Sequence, residues 1–318
     1  MADSTTSLSG KLVVLLGGGG FFGTHVAQEL LGRGARLRIA CREPKRAFRI
    51  KALGNLGQVQ FLRADITDTK VLPALVAGAD AVVNLVGAFK GNLDAVYVTG
   101  PAALAAAAKA AGVGAFVHVS ANGADATSPV AYARTKAEGE AAVLSAFPKA
   151  TILRPSILFG QDDAFITMFA GLIASLPALP VFGPEAKLQP VFVDDAAAGL
   201  ANALSDPGKH GGKCYELAGP EVITMGELNH RIAAAQGRER LFIELPDAVS
   251  GLIATLTGWL PGAPITSSQW KLLQAGNIAS GAPGLKALGV AARPLSLFLD
   301  RWMVHYRKHG RFGAKVSA

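Results

Sequence analysis

The chain has little that would cross-link it. Among 318 residues there are two cysteines, Cys41 and Cys214. Two thiols are too few for a disulfide framework or a cysteine zinc site. Both fall in β-rich runs, where a thiol behaves as a small buried hydrophobe. Of the six histidines, none stands at ligand spacing from a cysteine or carboxylate. His305 and His309 share a helix face but have no third ligand. No metal site is expected. Long apolar runs are missing too. The stretches 166–182 and 249–260 are broken by proline or fall short of the roughly 20 residues that cross a bilayer. The opening MADSTTSLSGK has no basic region and no Arg-rich amphipathic pattern, so no signal or transit peptide is expected. The expected location is the cytoplasm or, peripherally, the cytoplasmic face of a membrane.

Acidic residues are scarce relative to basic ones, 23 against 31, which leaves a net charge of +8. Such an excess suits nucleic acid, anionic lipid or a phosphorylated cofactor. The cations are scattered, except at 42–49 and 301–315. No basic stripe interleaved with aromatics occurs, so nucleic acid is not an expected partner. What the chain does have is apolar mass: hydrophobic residues make up 50 %, enough for a sizeable core, which excludes disorder.

That apolar mass is patterned. KLVVLL, RLRIAC, VQFLRAD, AVVNLVG, AFVHVS and TILRPS read as strands. Helical patterns run between them at 22–31, 70–77, 101–112 and 132–147. Strands alternating with helices predict βαβ units and a parallel sheet. Near-continuous apolar strands such as LVVLL fit a sheet covered on both faces. VFVDDAAAGLANAL reads as a further strand and helix, CYELAGP as another strand. The expected architecture is α/β, a Rossmann-like doubly wound sheet over 10–220 with a Pro-rich excursion around 161–187. A smaller, mostly helical C-terminal region over 221–318 is expected to serve substrate binding or docking.

The first strand runs into GGGGFFG. Gly17, Gly20 and Gly23 have the G-x-x-G-x-x-G spacing between a predicted strand and a predicted helix, the setting a dinucleotide fingerprint requires. The turn must be tight, its backbone must approach a pyrophosphate, and the helix N–H groups must face the phosphates. The backbone of Phe21 and Phe22 opens that helix. At the end of the second strand, where an NAD site usually has an acid, stands Arg42, followed by Glu43, Lys45 and Arg46. An arginine pairs with a 2′-phosphate by charge-assisted hydrogen bonds, so NADP(H) is favoured. Glu43 is the feature that speaks for NAD(H). Asp65 and Ile66 end the third strand, where the carboxylate either meets the adenine or caps the next segment. Leu85, Val86 and Gly87 end the fourth, and Pro155 the sixth; these are expected to flank the cofactor.

Tyr132 and Lys136 are four apart on a predicted helix and so share a face. A lysine beside a phenol favours the phenolate and would lower the tyrosine pKa towards proton transfer. Ser120, ending the fifth strand, would orient a carbonyl or satisfy a strand-end backbone group. Tyr132, Lys136 and Ser120 are the catalytic candidates, with Tyr132 and Lys136 also beside the cofactor.

Together these motifs resemble the extended and atypical short-chain dehydrogenase/reductases. The resemblance covers most of the chain: the glycine loop, RADITD, VVNLVG, HVS, Tyr132-x-x-x-Lys136, LRPS with Phe159 and Gly160, VDD at 193–195 and YELAGPEVITMGEL. Within that superfamily, YARTKAEGEAAVLSAFPKATILRPSILFGQDDAF and QPVFVDDAAAGLANAL look most like the NADPH-binding accessory subunits of respiratory complex I and their bacterial relatives. The resemblance implies a bound NADPH held structurally, and a respiratory-chain or quinone-biosynthesis complex as partner. Three departures from the family's catalytic pattern speak against turnover: Ser120 is followed by Ala121 and Asn122 rather than further hydroxyls, the stretch from Ser120 to Tyr132 is short, and VYVTGPAALAAA lacks the family's asparagine. The alternatives are an active NADP(H)-dependent oxidoreductase on a lipid-like or quinone-related substrate and a nucleotide-sugar epimerase or dehydratase.

A last feature lies at 245–260. Apolar residues at 245, 248, 249, 252, 253, 256, 259 and 260 form one helical stripe. Such a stripe either packs in a core or lies at a membrane interface with Trp259 at headgroup level. The basic tail, Arg301, Arg307, Lys308, Arg311 and Lys315, would add attraction to anionic lipid.

Overall fold

The computed structural model describes residues 8–258, 265–308 and 310. The predicted alternation is present. β1 (Leu12–Leu16), β2 (Arg36–Cys41), β3 (Val59–Arg63), β4 (Ala81–Asn84), β5 (Ala115–Val119) and β6 (Thr151–Pro155) are joined by the strand Cys214–Leu217. The order across the sheet is Cys214–Leu217, β6, β5, β4, β1, β2, β3, and every pairing is parallel. The order reverses between β1 and β4, so the sheet is doubly wound with its crevice beside β1, the place where such sheets take ligands.

Both faces are covered. On one, α1 (Phe21–Gly32) packs with α6 (Val193–Ser205). His25 Nδ1 lies 2.6 Å from Asp194 Oδ1, and Arg33 donates to Asn202 at 2.7 Å, tying the two helices together. On the other lie α2 (Leu72–Val76), α3 (Gly100–Ala110) and α4 (Ala131–Ala146). There Val14, Leu16, Val82, Phe116 and Ile152 of the sheet meet Leu72, Leu104, Ala108, Val143 and Phe147 of the helices. Each fully buried leucine or valine contributes about 1.5–3 kcal/mol relative to an exposed one. The alanines of α3 favour helix and let it sit close to α4.

The chain forms two compact units. The sheet unit comprises residues up to 155, 193–217 and 280–291; the second comprises 156–192, 218–279 and the residues from 292 on. In the second unit, α5 (Ala164–Ser175) and the helices Met225–Ala235, Asp247–Thr257, Ser267–Ala275 and Ser296–Trp302 accompany short strands. Ala178–Phe182 pairs in parallel with Leu241–Leu245, a pairing the sequence does not suggest. Pro180 hides it, because proline is tolerated in a two-stranded sheet with open edges. Phe192, Phe298 and Trp302 form a ring stack, with centroids 4.2 and 4.9 Å apart.

The stripe at 245–260 takes an unexpected orientation. Leu245 ends a strand, Pro246 precedes the helix Asp247–Thr257, and Trp259 and Leu260 lie outside the described residues. The buried face of this helix is Ser250 and Ala254, the latter against Ile265 and Trp270. Val249, Leu252 and Leu256 are exposed, the last two by about 60 %. Arg311 and Lys315 of the tail, and His309, also lie outside the described residues. The cysteines differ from expectation as well: Cys41 is partly exposed and Cys214, on the edge strand, is exposed.

Candidate functional site

The glycine loop is built as the spacing suggests. Gly17 has φ +84°, and a Cβ there would lie 2.9 Å from the backbone of Leu85 and Val86. Any other residue would therefore be both strained and clashing. A Cβ on Gly23 would lie 2.6 Å from Gly18, so α1 starts against the turn itself. Gly20 precedes α1 in an extended conformation. No side chain caps that helix and no acid stands in its first turn. Its first N–H groups, including those of Phe21 and Phe22, have no intrahelical partners, which makes this end a ready anion site. The two phenyl rings themselves turn away: neither lines the cleft, and Phe21 meets His25 edge-on at 5.2 Å.

Above the loop is a cleft of about 270 Å³. Gly17, Gly19 and Gly20 form its floor. Cys41, Arg42, Glu43 and Arg46 contribute one wall, Ala64, Asp65 and Ile66 a second, and Leu85, Val86, Gly87 and Ala88 a third. Glu43 is held by Arg46, Nε to Oε2 at 2.8 Å. Asp65 Oδ1 accepts from the Thr67 N–H at 3.0 Å and its hydroxyl at 2.8 Å, closing the turn after β3. The Thr67 backbone bond is the main cause that lowers the Asp65 pKa. Burial opposes it, while the Thr67 hydroxyl and the nearby Arg42 charge add to the lowering. A groove with a glycine floor, Arg42 and Arg46 on one wall and an uncapped helix N-terminus at its end fits a dinucleotide with its pyrophosphate at the loop. Gly17, Gly20, Arg42, Asp65, Ile66, Leu85, Val86 and Gly87 are thus brought together. Pro155 stands apart: it is buried in β6, and its carbonyl accepts from the Asn122 N–H at 2.9 Å.

Tyr132 and Lys136 form a second group, arranged around a residue the sequence does not single out, and Ser120 follows Val119, whose carbonyl takes the Lys136 bond. Tyr97 lies in a wide turn, Ala95–Thr99, that leads into α3. The Lys136 ammonium sits 4.3 Å over the Tyr97 ring and donates to the Val119 carbonyl at 3.2 Å. Burial draws its pKa down to about 7, partly opposed by Glu140, which itself takes two bonds from Arg154 at 2.9 and 2.6 Å. Tyr132 meets Tyr97 edge-on at 5.7 Å and is stacked by Phe89 at 5.0 Å. Burial, with the Tyr97 phenol adding to it, raises the Tyr132 pKa. That direction is opposite to the one the Tyr-x-x-x-Lys spacing suggests, because the ammonium is 6.0 Å from the Tyr132 ring centre and faces Tyr97.

Ser120 is buried, and its hydroxyl has no hydrogen-bond partner among the described residues. It does not serve the strand-end backbone. His118, two residues before it, is fully buried beside Asn84, with Asn84 Nδ2 to His118 Nδ1 at 3.0 Å. Burial, then the Lys136 charge, drops the His118 pKa to about 3, so this imidazole is neutral. The Tyr97 hydroxyl joins the two groups. It accepts from the Ala88 N–H at 2.6 Å and donates to the Ala88 carbonyl at 2.5 Å, and Ala88 lines the cleft. Asn84, His118, Tyr97 and Phe89 were not legible as site residues; only the buried strand-end position of Asn84 and His118 hinted at them.

A doubly wound parallel sheet with a side-chain-free glycine turn at its crevice defines a dinucleotide-binding protein of the short-chain dehydrogenase/reductase type. The profile of the NAD dependent epimerase/dehydratase family matches residues 13–218. The mitochondrial NADH dehydrogenase (ubiquinone) 1 alpha subcomplex subunit 9 of Rattus norvegicus is 33 % identical over 92 % of this chain and 79 % of its own length. The ceramide reductase of Caulobacter vibrioides is 32 % identical over 62 % of each chain. The fold is shared with the triphenylmethane reductase of Citrobacter sp., at a TM-score of 0.74 and 18 % identity over 92 % of this chain and 99 % of that one. The chain belongs to the NAD dependent epimerase/dehydratase family, an NAD(P)-binding family, and within it resembles the complex I accessory subunits.

Proposed function

We propose that the chain is an NADP(H)-binding subunit that holds its cofactor structurally beside a respiratory or quinone-handling complex at a membrane. The observation that carries this reading is the cleft over Gly17 with Arg42 at its wall. Gly17, Gly20 and the first N–H groups of α1 hold the pyrophosphate. Arg42 takes the 2′-phosphate, while Arg46 draws Glu43 into an ion pair that offsets its repulsion. Asp65 and Ile66 flank the adenine. Leu85, Val86 and Gly87 border the path to the nicotinamide, with Lys136 and Tyr132 beyond.

A bound nicotinamide supplies or accepts a hydride. The side chains support retention of the cofactor more than turnover. Tyr132 has a raised pKa, its ring is covered by Phe89, and the Lys136 ammonium lies over the Tyr97 ring. Membership in a complex is supported by the likeness to complex I subunits, and membrane contact by exposed Val249, Leu252 and Leu256. Identifying the nucleotide that co-purifies with the full chain tests the reading: NADP(H) is expected, and a nucleotide-free chain that also fails to bind added NADPH overturns it.

The second reading, an oxidoreductase on a lipid-like or quinone-related substrate, draws on the unpartnered Ser120 hydroxyl, one residue on from the Val119 carbonyl that takes the Lys136 bond. There Ser120 orients a carbonyl and Tyr132 gives the proton. Tyr132→Phe decides between the two: lost activity with unchanged NADPH affinity supports the enzyme, and unchanged quinone pools and respiration in cells support the subunit.

A further inference from the structure

Phe89 is 71 % exposed, yet its ring lies over Tyr132 with only 21° between the planes. The segment that carries it is short and anchored at both ends. On one side Ala88 is pinned by two hydrogen bonds to the Tyr97 hydroxyl. On the other, Asn92 accepts from the Ala95 N–H at 3.0 Å through its side chain and from the Val96 N–H at 3.2 Å through its carbonyl. Only Phe89, Lys90 and Gly91 lie between. Gly91 has φ +93° and open space around it, a conformation from which glycine moves at little steric cost. Tyr132 is the fixed member of the pair, set edge-on against buried Tyr97.

The anchor at Ala88 also lines the cleft, together with Gly87. Phe89 follows Ala88 in the chain, so the ring pair stands next to that end of the cleft. At a centroid separation of 5.0 Å they leave no layer between them. Two stacked gaps need about 7 Å between the ring planes, so a displacement of the Phe89 ring by about one ring thickness, about 3.5 Å, admits a third ring. We propose that Phe89 and Tyr132 are the jaws of a clamp for a planar conjugated ring, Phe89 moving and Tyr132 fixed. Two sources carry that chemistry: the nicotinamide of a dinucleotide in the cleft, and the ring of a quinone-type acceptor. The inference rests on the proposed cofactor cleft only for its neighbourhood.

Calorimetric titration of the full chain separates these sources. The ligands are NADPH, 2′-phospho-ADP-ribose, which lacks the nicotinamide, and duroquinone with and without saturating NADPH. The proteins are the parent, Phe89→Ala and Phe89→Trp, with thermal unfolding as the folding control. If the nicotinamide is clamped, Phe89→Ala weakens NADPH roughly five- to tenfold and leaves 2′-phospho-ADP-ribose unchanged. If an acceptor is clamped, duroquinone weakens by the same factor and NADPH does not. Phe89→Trp retains the affected ligand in either case. Unchanged NADPH binding in Phe89→Ala, with duroquinone binding either the same as in the parent or absent from the parent itself, overturns the clamp, as does equal weakening of NADPH and 2′-phospho-ADP-ribose. A parent that binds neither nucleotide overturns the cofactor reading instead, and the duroquinone titration without nucleotide still decides the clamp.

Discussion

The Lys136 ammonium lies over the face of Tyr97, 4.3 Å from its centre, and 6.0 Å from the centre of the Tyr132 ring it was expected to serve. An aromatic face is a weak partner compared with water, so burial dominates and the pKa falls to about 7. In the unfolded chain this lysine titrates near 10.5. Between those values the unfolded state binds more protons, so stability rises with pH, and the penalty of a buried charge is complete below about 7. Lys136→Met should remove that rise. Denaturant unfolding at pH 6.5 and 8.5 checks it: the parent gains stability relative to the variant at the higher pH, and parallel curves contradict the assignment.

Tyr97 links the buried group to the cleft by its hydroxyl alone. Tyr97→Phe keeps both ring contacts and removes the two bonds to Ala88. Loss of about 1–3 kcal/mol is expected, since the Ala88 N–H loses its partner. Amide exchange at Ala88 should quicken in the variant. Full retention of stability and protection would mean that the bonds do not hold the loop.

Arg42 is the test of cofactor choice. Removing one charge-assisted phosphate contact by Arg42→Ala should weaken NADPH roughly 10- to 100-fold and NADH by less than about twofold. Equal losses for both would show that Arg42 supports the cleft generally and does not read the 2′-phosphate.

The sheet was legible because period and punctuation agree along it: LVVLL, the glycines and the alanine-rich helix each specify one conformation locally. The second unit was less so. The pairing of Ala178–Phe182 with Leu241–Leu245 spans some sixty residues of chain and contains Pro180. No local pattern records such a partner. The Tyr-x-x-x-Lys spacing placed two side chains on one face but could not say where the ammonium points. Tyr97 and Phe89 are single aromatics whose role exists only through neighbours brought by the fold. Of the stripe at 245–260, the helix takes residues 247–257, while Leu245 ends a strand. The helix's polar face of small residues, Ser250 and Ala254, is what packs.

That inversion yields a further prediction. Leu252→Glu with Leu256→Glu changes exposed positions, so stability should stay within about 0.5 kcal/mol per substitution. Co-sedimentation with vesicles containing anionic lipid should fall sharply. Unchanged sedimentation would remove this helix from any membrane contact.

The central claim is that the glycine cleft holds a dinucleotide, and NADPH titration of the full chain tests it most directly, with Gly17→Ala as the control. A Cβ at position 17 would sit 2.9 Å from the Leu85 and Val86 backbone at a φ of +84°. The account requires saturable binding of one NADPH by the parent, tighter than NADH, and its loss in Gly17→Ala. A folded parent that binds neither nucleotide would contradict it, as would a Gly17→Ala chain that binds NADPH as the parent does.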